Sequence, residues 1–258
     1  GLSQFSFSCW FKMDAAANRK VIVSDWMYNR TEHGHFALQT ENTSGSTFGL
    51  FLFIKQTSDA GDNGVRTGGG VFTANVWYNV IFTYNAGTVT CYKNGTSISL
   101  TTVGTIPTTL TNQDGNLNIG KFGGGLTRYW DGKISNVSLF NEALTSTEVL
   151  KLYNSGVPGN LSNFTPSPIS WWSLGSDSYF NGANYICPDL IGTNNGTSSG
   201  MDANSLIGDA PNSSANGTST NMTIDANLTG NAPNSSNNSF SVNMSFDDRV
   251  SGTGNVPE

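Results

Sequence analysis

The feature that most limits how this chain can fold is a period-two alternation of its side chains. Between Phe5 and Phe11 every second residue is apolar, and serines fill most of the positions between them. Side chains alternate across a β-strand, so the pattern predicts a strand with one face toward a core. Gly, Asn and Asp clusters separate further strand-like runs at 21–24, 35–39, 48–55, 77–84, 88–93, 97–101, 116–120 and 130–140.

These runs predict an all-β domain of many short strands. The predicted core consists of the same-face residues of the strongest strands: Phe7, Cys9, Phe11, Val80, Phe82, Val89, Cys91, Val137 and Leu139. Charged residues make up only 12%, and the formal net charge is −6, so the basic surface of a nucleic-acid-binding protein is absent. No stretch approaches the ~20 apolar residues of a membrane span.

Local signals refine this picture. Asn94-Gly95 predicts a tight hairpin turn. Ile134 is out of phase with the apolar residues that follow it, which indicates a bulge or burial on both faces. Thr145 and Glu148 have capping-box spacing before an apolar run, and Gly156 is placed to end the helix that this run predicts.

The three cysteines, Cys9, Cys91 and Cys187, fit neither a zinc pattern nor a dense disulfide framework. We interpret them as buried free thiols that pack as small apolar residues. A Cys9–Cys91 disulfide is the alternative, because the two strands that carry these residues could be neighbours.

The composition changes in the C-terminal part of the chain, where no Lys or Arg occurs between Lys151 and Arg249. We predict a sandwich at 1–157 and an extended, strand- and loop-rich segment at 158–258, with one clear strand near 169–174. Within that segment a 22-residue repeat occupies 208–225 and 230–247. Each copy has too few apolar residues to form its own core, so we expect the copies to lie on another surface.

The motifs between Phe5 and Gly156 resemble the laminin-G-like family of the concanavalin A-like lectin/glucanase superfamily. The segments that carry the resemblance are FSFSCWFK, WYNVIFTYNAGTVTCYKNG and WDGKISNVSLFNEALTSTEVLKLYNSG. The resemblance implies a two-sheet antiparallel jelly-roll sandwich of a kind that often binds glycans, proteins or calcium. Family members usually begin with strands that this chain lacks, and residues 169–201 resemble that opening, displaced to the C-terminal side.

The Asn- and Ser-rich repeat is also similar to the tails of laminin-G-like proteins encoded by marine bacteriophages. We therefore expect a non-enzymatic structural or display protein on the exterior of a virus particle, self-assembling with other virion subunits. A secreted bacterial glycan-binding module or surface adhesin is the alternative. The resemblance implies two or three alternating carboxylates on one strand in polysaccharide-cleaving relatives, and no such array exists here, which argues against an enzyme.

Two aromatic and polar segments are candidate glycan-binding sites, because flat rings and amides at loop tips bind sugars. The candidate residues are Trp26, Tyr28, Asn29, His33 and His35 in the first segment and Arg128 and Tyr129 in the second. Core or subunit contact is the alternative role for Trp26 and Tyr28.

Asn112, Asp114 and Asn116 are candidate calcium ligands, because oxygen-bearing side chains alternate there before a strand. The spacing does not match the standard calcium-loop motif, and ordinary turn chemistry explains the same residues. We therefore expect no cofactor, with a structural calcium ion as the alternative.

Overall fold

The computed structural model describes residues 2–25, 35–55, 61–110, 116–122, 128–175 and 177–201, together with the backbone of residues 239–243. In these residues the chain forms two antiparallel β-sheets that pack face to face, with one short α-helix on the outside. The predicted all-β sandwich is confirmed.

The first sheet is built on the strand that opens the chain. Its described strands, in spatial order, are β13 (Ser170–Trp172), β12 (Gly132–Phe140), β1 (Gln4–Met13), β7 (Tyr78–Asn85), β8 (Thr88–Lys93) and β9 (Thr96–Ile98). The inward residues of β1 face the other sheet. On its outward face Trp10 stacks on Tyr153, with ring centroids 5.8 Å apart. The helix therefore covers this sheet from outside.

The second sheet is wider and is completed by the C-terminal segment. Its described strands, in spatial order, are β10 (Thr101–Val103), β5 (Gly64–Arg66), β4 (Thr47–Lys55), β3 (His35–Ser44), β2 (Val21–Ser24), β11 (Asn116–Ile119), β17 (Ser239–Asn243), β16 (Gly196–Ser199), β15 (Tyr185–Cys187) and β14 (Tyr179–Phe180). A short strand, β6 (Phe72–Thr73), also pairs with β4.

The core lies between the sheets and agrees closely with the sequence. Eight of the nine predicted core residues are at most 1% exposed. The exception is Val89, which is only partly buried and packs against the rim of the core, because β8 neighbours the edge strand β9. A second, smaller cluster fills the space between the first sheet and the helix.

A bulge in β12 accounts for the phase change at Ile134. Ser8 of β1 pairs with Ser138, whereas Trp10 pairs with Ser135, so two residues of β12 lie opposite one residue of β1. Asn136 has a positive φ of 48° there. The predicted bulge is confirmed, and it allows residues on both sides of it to face the core.

Two boundary predictions need correction. The run 97–101 is not one strand, because Thr96–Ile98 pairs with β8 in the first sheet and Thr101–Val103 pairs with β5 in the second. The chain crosses from one sheet to the other at residues 99–100. The run predicted to end at residue 39 continues to Ser44.

The helix α1 (Ser146–Tyr153) begins as predicted, because Thr145 and Glu148 form a reciprocal capping box. Its end was predicted wrongly. Asn154, with φ 49°, adopts the left-handed cap conformation in place of Gly156, since asparagine tolerates that region better than most residues. The predicted Asn94-Gly95 turn is confirmed, with positive φ values of 50° and 77°.

The C-terminal segment contributes to both sheets of its own chain. Trp172 of β13 is fully buried, pairs with Val137 of β12, and donates its indole N–H to the carbonyl oxygen of Asn194 at 2.8 Å. The predicted strand near 169–174 is therefore confirmed. β17, which lies in the second repeat copy, is inserted between β11 and β16. The first repeat copy lies outside the described residues.

Asp189 ties the loop after β15 to β13. Its Oδ1 accepts hydrogen bonds from the backbone N–H groups of Trp171 at 2.9 Å and Gly192 at 3.0 Å. A Cβ atom on Gly192 would lie 2.6 Å from Oδ2 of Asp189, so a larger residue would break this contact. The same Cβ atom would lie 2.8 Å from the carbonyl oxygen of Ile169, so a larger residue at this position requires the loop to shift.

All three cysteines are buried free thiols, as predicted, and the alternative Cys9–Cys91 disulfide is wrong. Burial raises the pKa of the Cys9 and Cys91 thiols well above the ordinary value. Burial also raises the pKa of Cys187 to about 12, although the hydroxyl of Ser178 opposes the shift. These thiols are therefore protonated and unreactive at neutral pH.

We expect Phe82→Ala to destabilise the fold by about 3–5 kcal/mol, because Phe82 is 1% exposed and truncation leaves a cavity between the sheets. Phe180→Ala is the matched control, since Phe180 is 41% exposed and should cost about 1 kcal/mol or less. Chemical denaturation of both variants measures the difference. Equal stability of the two variants would show that β7 does not lie in the core.

We also expect residues 158–258 not to fold alone. Expressed as a fragment, they should show poorly dispersed amide signals in NMR spectra, because they bury little apolar surface without the sandwich. Removing them should expose the edge of β12 and lower solubility. A cooperative melt of the isolated fragment would contradict this expectation.

Candidate functional site

A groove of about 400 Å³ crosses the outward face of the second sheet. Strands β3, β4 and β5 supply its central residues, and segments on either side close it. The residues that line it include Gln39, Glu41, Phe51, Phe53, Arg66 and Arg128. The volume lies in the range of small-molecule and saccharide sites, about 300–1,000 Å³.

Strand alternation explains why these side chains face outward. In β3, Phe36 and Leu38 belong to the core between the sheets, so Gln39 and Glu41 bracket the buried position Thr40. In β4, Leu50, Leu52 and Ile54 are core residues, and the phenylalanines between them point to the groove.

The register of the three strands sets the positions across the groove. Gln39 lies opposite Phe51, and Phe51 lies opposite Arg66. An amide, an aromatic ring and a guanidinium group therefore form one row perpendicular to the strands. Directly opposite side chains are close enough to contact one another.

The floor of the groove is aromatic. The rings of Phe51 and Phe53 have centroids 3.9 Å apart. Phe53 also packs against a small outer cluster of Val21, Ala37 and Phe122. Phe51 and Phe122 are buried, whereas Phe53 is partly exposed and offers an accessible ring to a ligand.

Arg66 closes one side of the groove. Its guanidinium carbon lies 4.9 Å from the centre of the Phe51 ring, and its Nε lies 3.3 Å from Oε1 of Glu41. This contact is an ion pair without the alignment of a hydrogen bond. Burial raises the pKa of Glu41, and Asp62 adds to the rise, while Arg66 lowers it. The carboxylate and the guanidinium thus hold each other in place.

Arg128 closes the other side. Its guanidinium carbon lies 5.1 Å from the centre of the Phe122 ring, and Nη1 donates a hydrogen bond to Oε1 of Gln39 at 3.2 Å. Burial lowers the pKa of Arg128, and the nearby charge of Arg19 lowers it further, whereas Asp62 raises it. Stacking and the amide contact fix the plane of this guanidinium.

Two turns bring polar side chains to the end of the groove. The backbone N–H of Arg19 donates to the carbonyl oxygen of Thr40 at 2.8 Å, and Oδ1 of Asn18 accepts from the N–H of Thr43 at 3.1 Å. Asn42, at an irregularity near the end of β3, donates to Oε1 of Glu41 at 3.2 Å. Asn18, Arg19 and Asn42 are all exposed at this end.

The structure locates only part of the predicted glycan-binding set. Arg128 lines the groove, and Tyr129, which follows it, is partly buried. Trp26, Tyr28, Asn29 and His33 lie outside the described residues. His35 begins β3, and only its backbone is described. The glycan-binding roles of all seven residues stay predictions.

The calcium prediction is also largely outside the described residues. Asn112 and Asp114 fall there, and Asn116 is an exposed residue at the start of β11. Among the residues that the structure describes, no group of three or more His, Cys, Asp or Glu side chains could hold a metal ion. A structural calcium ion at residues 112–116 stays a prediction.

Sequence reasoning missed most of the groove, including its three phenylalanines and the Glu41–Arg66 pair. The available signal was the apolar character of β4 at nearly every position, TFGLFLFIK. A strand that is apolar on both faces has either a covered outer face or an aromatic binding surface.

In the part of the chain that the structure describes, no helix is long and apolar enough to cross a membrane.

Solved structures similar to this chain share its fold at low sequence identity. A Bacteroides ovatus protein assigned a carbohydrate-binding role has 18% identity and a TM-score of 0.50, with 76% of this chain and 52% of that chain covered. The chain thus spans about half of that structure. The native heptameric SAP-like pentraxin of Limulus polyphemus has 18% identity, a TM-score of 0.44, and coverage of 73% and 81%.

A third similar structure is the CBM40 domain of the Ruminococcus gnavus IT-sialidase, bound to α2,3-sialyllactose. It has 15% identity and a TM-score of 0.45, with 59% of this chain and 84% of that chain covered. At these identities the likeness establishes the fold alone. A search of curated protein sequences found no match.

A protein-family model matches residues 1–150, more than half of the chain. The matched region contains all the strands of the groove and the whole of the motif set FSFSCWFK through KISNVSLF. The chain therefore belongs to the Laminin_G_3 family, described as the Concanavalin A-like lectin/glucanases superfamily.

Proposed function

We propose that this protein is a non-catalytic glycan-binding module, and that the groove on the second sheet is its binding site. One observation carries the proposal. A partly exposed phenylalanine, Phe53, lies at the floor of a groove whose walls present guanidinium, amide and carboxylate groups. This combination of an apolar platform with a few convergent polar groups suits a saccharide.

A sugar ring has an apolar C–H face and a rim of hydroxyl groups, and the groove complements both. The Phe53 ring offers a flat apolar surface for the C–H face. Glu41 and the amides of Asn18 and Asn42 can accept or donate hydrogen bonds at the rim, and bonds to the carboxylate are the stronger ones. The family description, which includes lectins, agrees with this proposal.

A glycan-cleaving enzyme is the second candidate, because Glu41 and Asp62 line the same groove and the superfamily includes glucanases. Hydrolysis requires one carboxyl group that donates a proton and a second that acts as base or nucleophile. Burial raises the pKa of Glu41, although Arg66 lowers it, so the pKa of this carboxyl does not argue against a proton donor. The sequence does argue against hydrolysis, because it lacks the alternating carboxylates that polysaccharide-cleaving relatives carry on one strand. Glycan binding is therefore a better explanation than cleavage for the presence of Glu41 and Asp62 in the groove.

The setting in which the module works stays a prediction. We propose the exterior of a virus particle, with a secreted or surface-attached bacterial module as the alternative. The support for the virus setting is the similarity of the Asn- and Ser-rich repeat to the tails of laminin-G-like bacteriophage proteins; in the structure its second copy pairs within its own chain. Genomic neighbours, or mass spectrometry of purified virions against the secretome, would separate the two settings.

We expect Phe53→Ala to weaken glycan binding about tenfold, because the ring face that packs on the sugar is lost. A glycan microarray first identifies a bound ligand, and isothermal titration calorimetry then gives the dissociation constants. Phe180→Ala is the matched control, because it removes an exposed ring from β14, far along the same sheet. Equal effects of the two variants would place the binding site elsewhere.

We further expect no cleavage of laminarin, agarose or carrageenan, measured as the release of reducing ends. The sequence lacks the alternating carboxylates that cleavage would use, and the carboxylate of Glu41 is engaged with Arg66. Glu41→Gln is the decisive variant. Reducing-end release by the unmodified chain that disappears in Glu41→Gln would establish the enzyme and overturn this expectation.

A further inference from the structure

The arginines of this chain are concentrated at the groove. The sequence contains five, and Arg19, Arg66 and Arg128 line it, whereas Arg30 and Arg249 lie outside the described residues. No lysine whose side chain the structure describes lines the groove. The arginines face two carboxylates there, a formal excess of one positive charge in a chain of formal net charge −6.

The use of arginine rather than lysine is informative. A guanidinium group is planar and presents its N–H donors as a fork that matches two oxygens of a carboxylate or sulfate. A lysine ammonium would supply the charge without that match. Stacking on a ring leaves the edge of the guanidinium free to donate in its own plane.

Arg128 is the best placed of the three for such a contact. It stacks on Phe122 and uses Nη1 in the bond to Gln39, and its other four N–H donors have no partner among the residues that the structure describes. Arg66 is different, because its charge is already matched by Glu41 at 3.3 Å. Arg128 therefore carries a positive charge that no close carboxylate neutralises in the described part of the chain.

Arg19 strengthens this local field. It is exposed and lines the same groove as Arg128, and its charge lowers the pKa of Arg128. Two like charges beside a partly buried groove repel each other, and an anion placed between them relieves the repulsion. Asp62 offsets part of this effect but is itself exposed to solvent.

We propose that the groove binds an acidic saccharide residue, whose carboxylate or sulfate group is held by Arg128 with Arg19 while its ring packs on Phe53. This inference rests on the proposed glycan-binding function and names the chemical class of the ligand. The aromatic platform and the amides favour a sugar over an acidic peptide, which offers neither a flat C–H face nor a rim of hydroxyl groups.

The test compares matched ligands on the full-length chain. Polygalacturonate oligosaccharides are measured against their methyl esters, in which a methyl group replaces the carboxylate charge. κ-Carrageenan oligosaccharides are measured against the same oligosaccharides after desulfation. We expect at least one acidic ligand to bind about tenfold or more tightly than its neutral partner, and the preference to shrink as salt is raised. Poly-glutamate is included as an acidic peptide.

Variants of the groove arginines test whether these residues cause the preference for acidic over neutral ligands. Arg128→Gln should reduce the ratio of acidic to neutral affinity to near one, and Arg128→Lys should give an intermediate ratio, because it keeps the charge and loses the fork. Arg19→Gln should lower the ratio without any risk to the fold, since Arg19 is exposed. Lys151→Gln, an exposed helix residue, is the control for lost charge and should leave the ratio unchanged.

The outcomes separate this inference from the proposed function. Equal or weaker binding of the acidic ligands, with neutral glycans bound, overturns the acidic class and leaves the glycan-binding module standing. An unchanged ratio in Arg128→Gln and Arg19→Gln overturns the assignment to these arginines. Equal binding of poly-glutamate overturns the saccharide specificity. Failure of every polysaccharide to bind overturns both proposals.

Discussion

The antiparallel pairing of β3 with β4 is the constraint on which both the core and the groove depend. Each of the two strands sends alternate residues inward, where Phe36 and Leu52 join the core, and outward, where Gln39 and Phe51 meet across the groove. A shift of register by one residue would exchange the two faces. The burial of the inward residues therefore also fixes the positions of the outward residues that line the groove.

Two of the arginines that line the groove, Arg66 and Arg128, are held in place by aromatic rings. Stacking on Phe51 and Phe122 holds the guanidinium planes of Arg66 and Arg128, so less side-chain entropy remains to be lost when a ligand binds. The two arginines differ in their partners. Glu41 neutralises Arg66, whereas Arg128 is bonded to the neutral amide of Gln39. The anion that we propose as a ligand would therefore meet Arg128 rather than Arg66.

The sequence was sufficient for the sandwich and for much of its core, because period-two alternation reports directly on which side chains are buried. It was also sufficient for the bulge at Asn136 and for the start of the helix, where local chemistry determines the geometry. It was insufficient for the groove. Glu41 lies in the polar run TENTS, which has no strand signal of its own and is extended only because β4 pairs with it. Arg66 and Arg128 meet β3 and β4 from distant parts of the chain, and no local pattern reports such convergence.

The central claim is that a saccharide binds on the outward face of β3, β4 and β5. The most direct measurement is a crystal structure of the full chain with a bound acidic oligosaccharide taken from the binding screen. We expect a sugar ring packed on Phe53, with its acidic group within hydrogen-bond distance of the guanidinium of Arg128. A ligand bound to the helix side of the first sheet, or only to residues 26–34, would contradict this expectation.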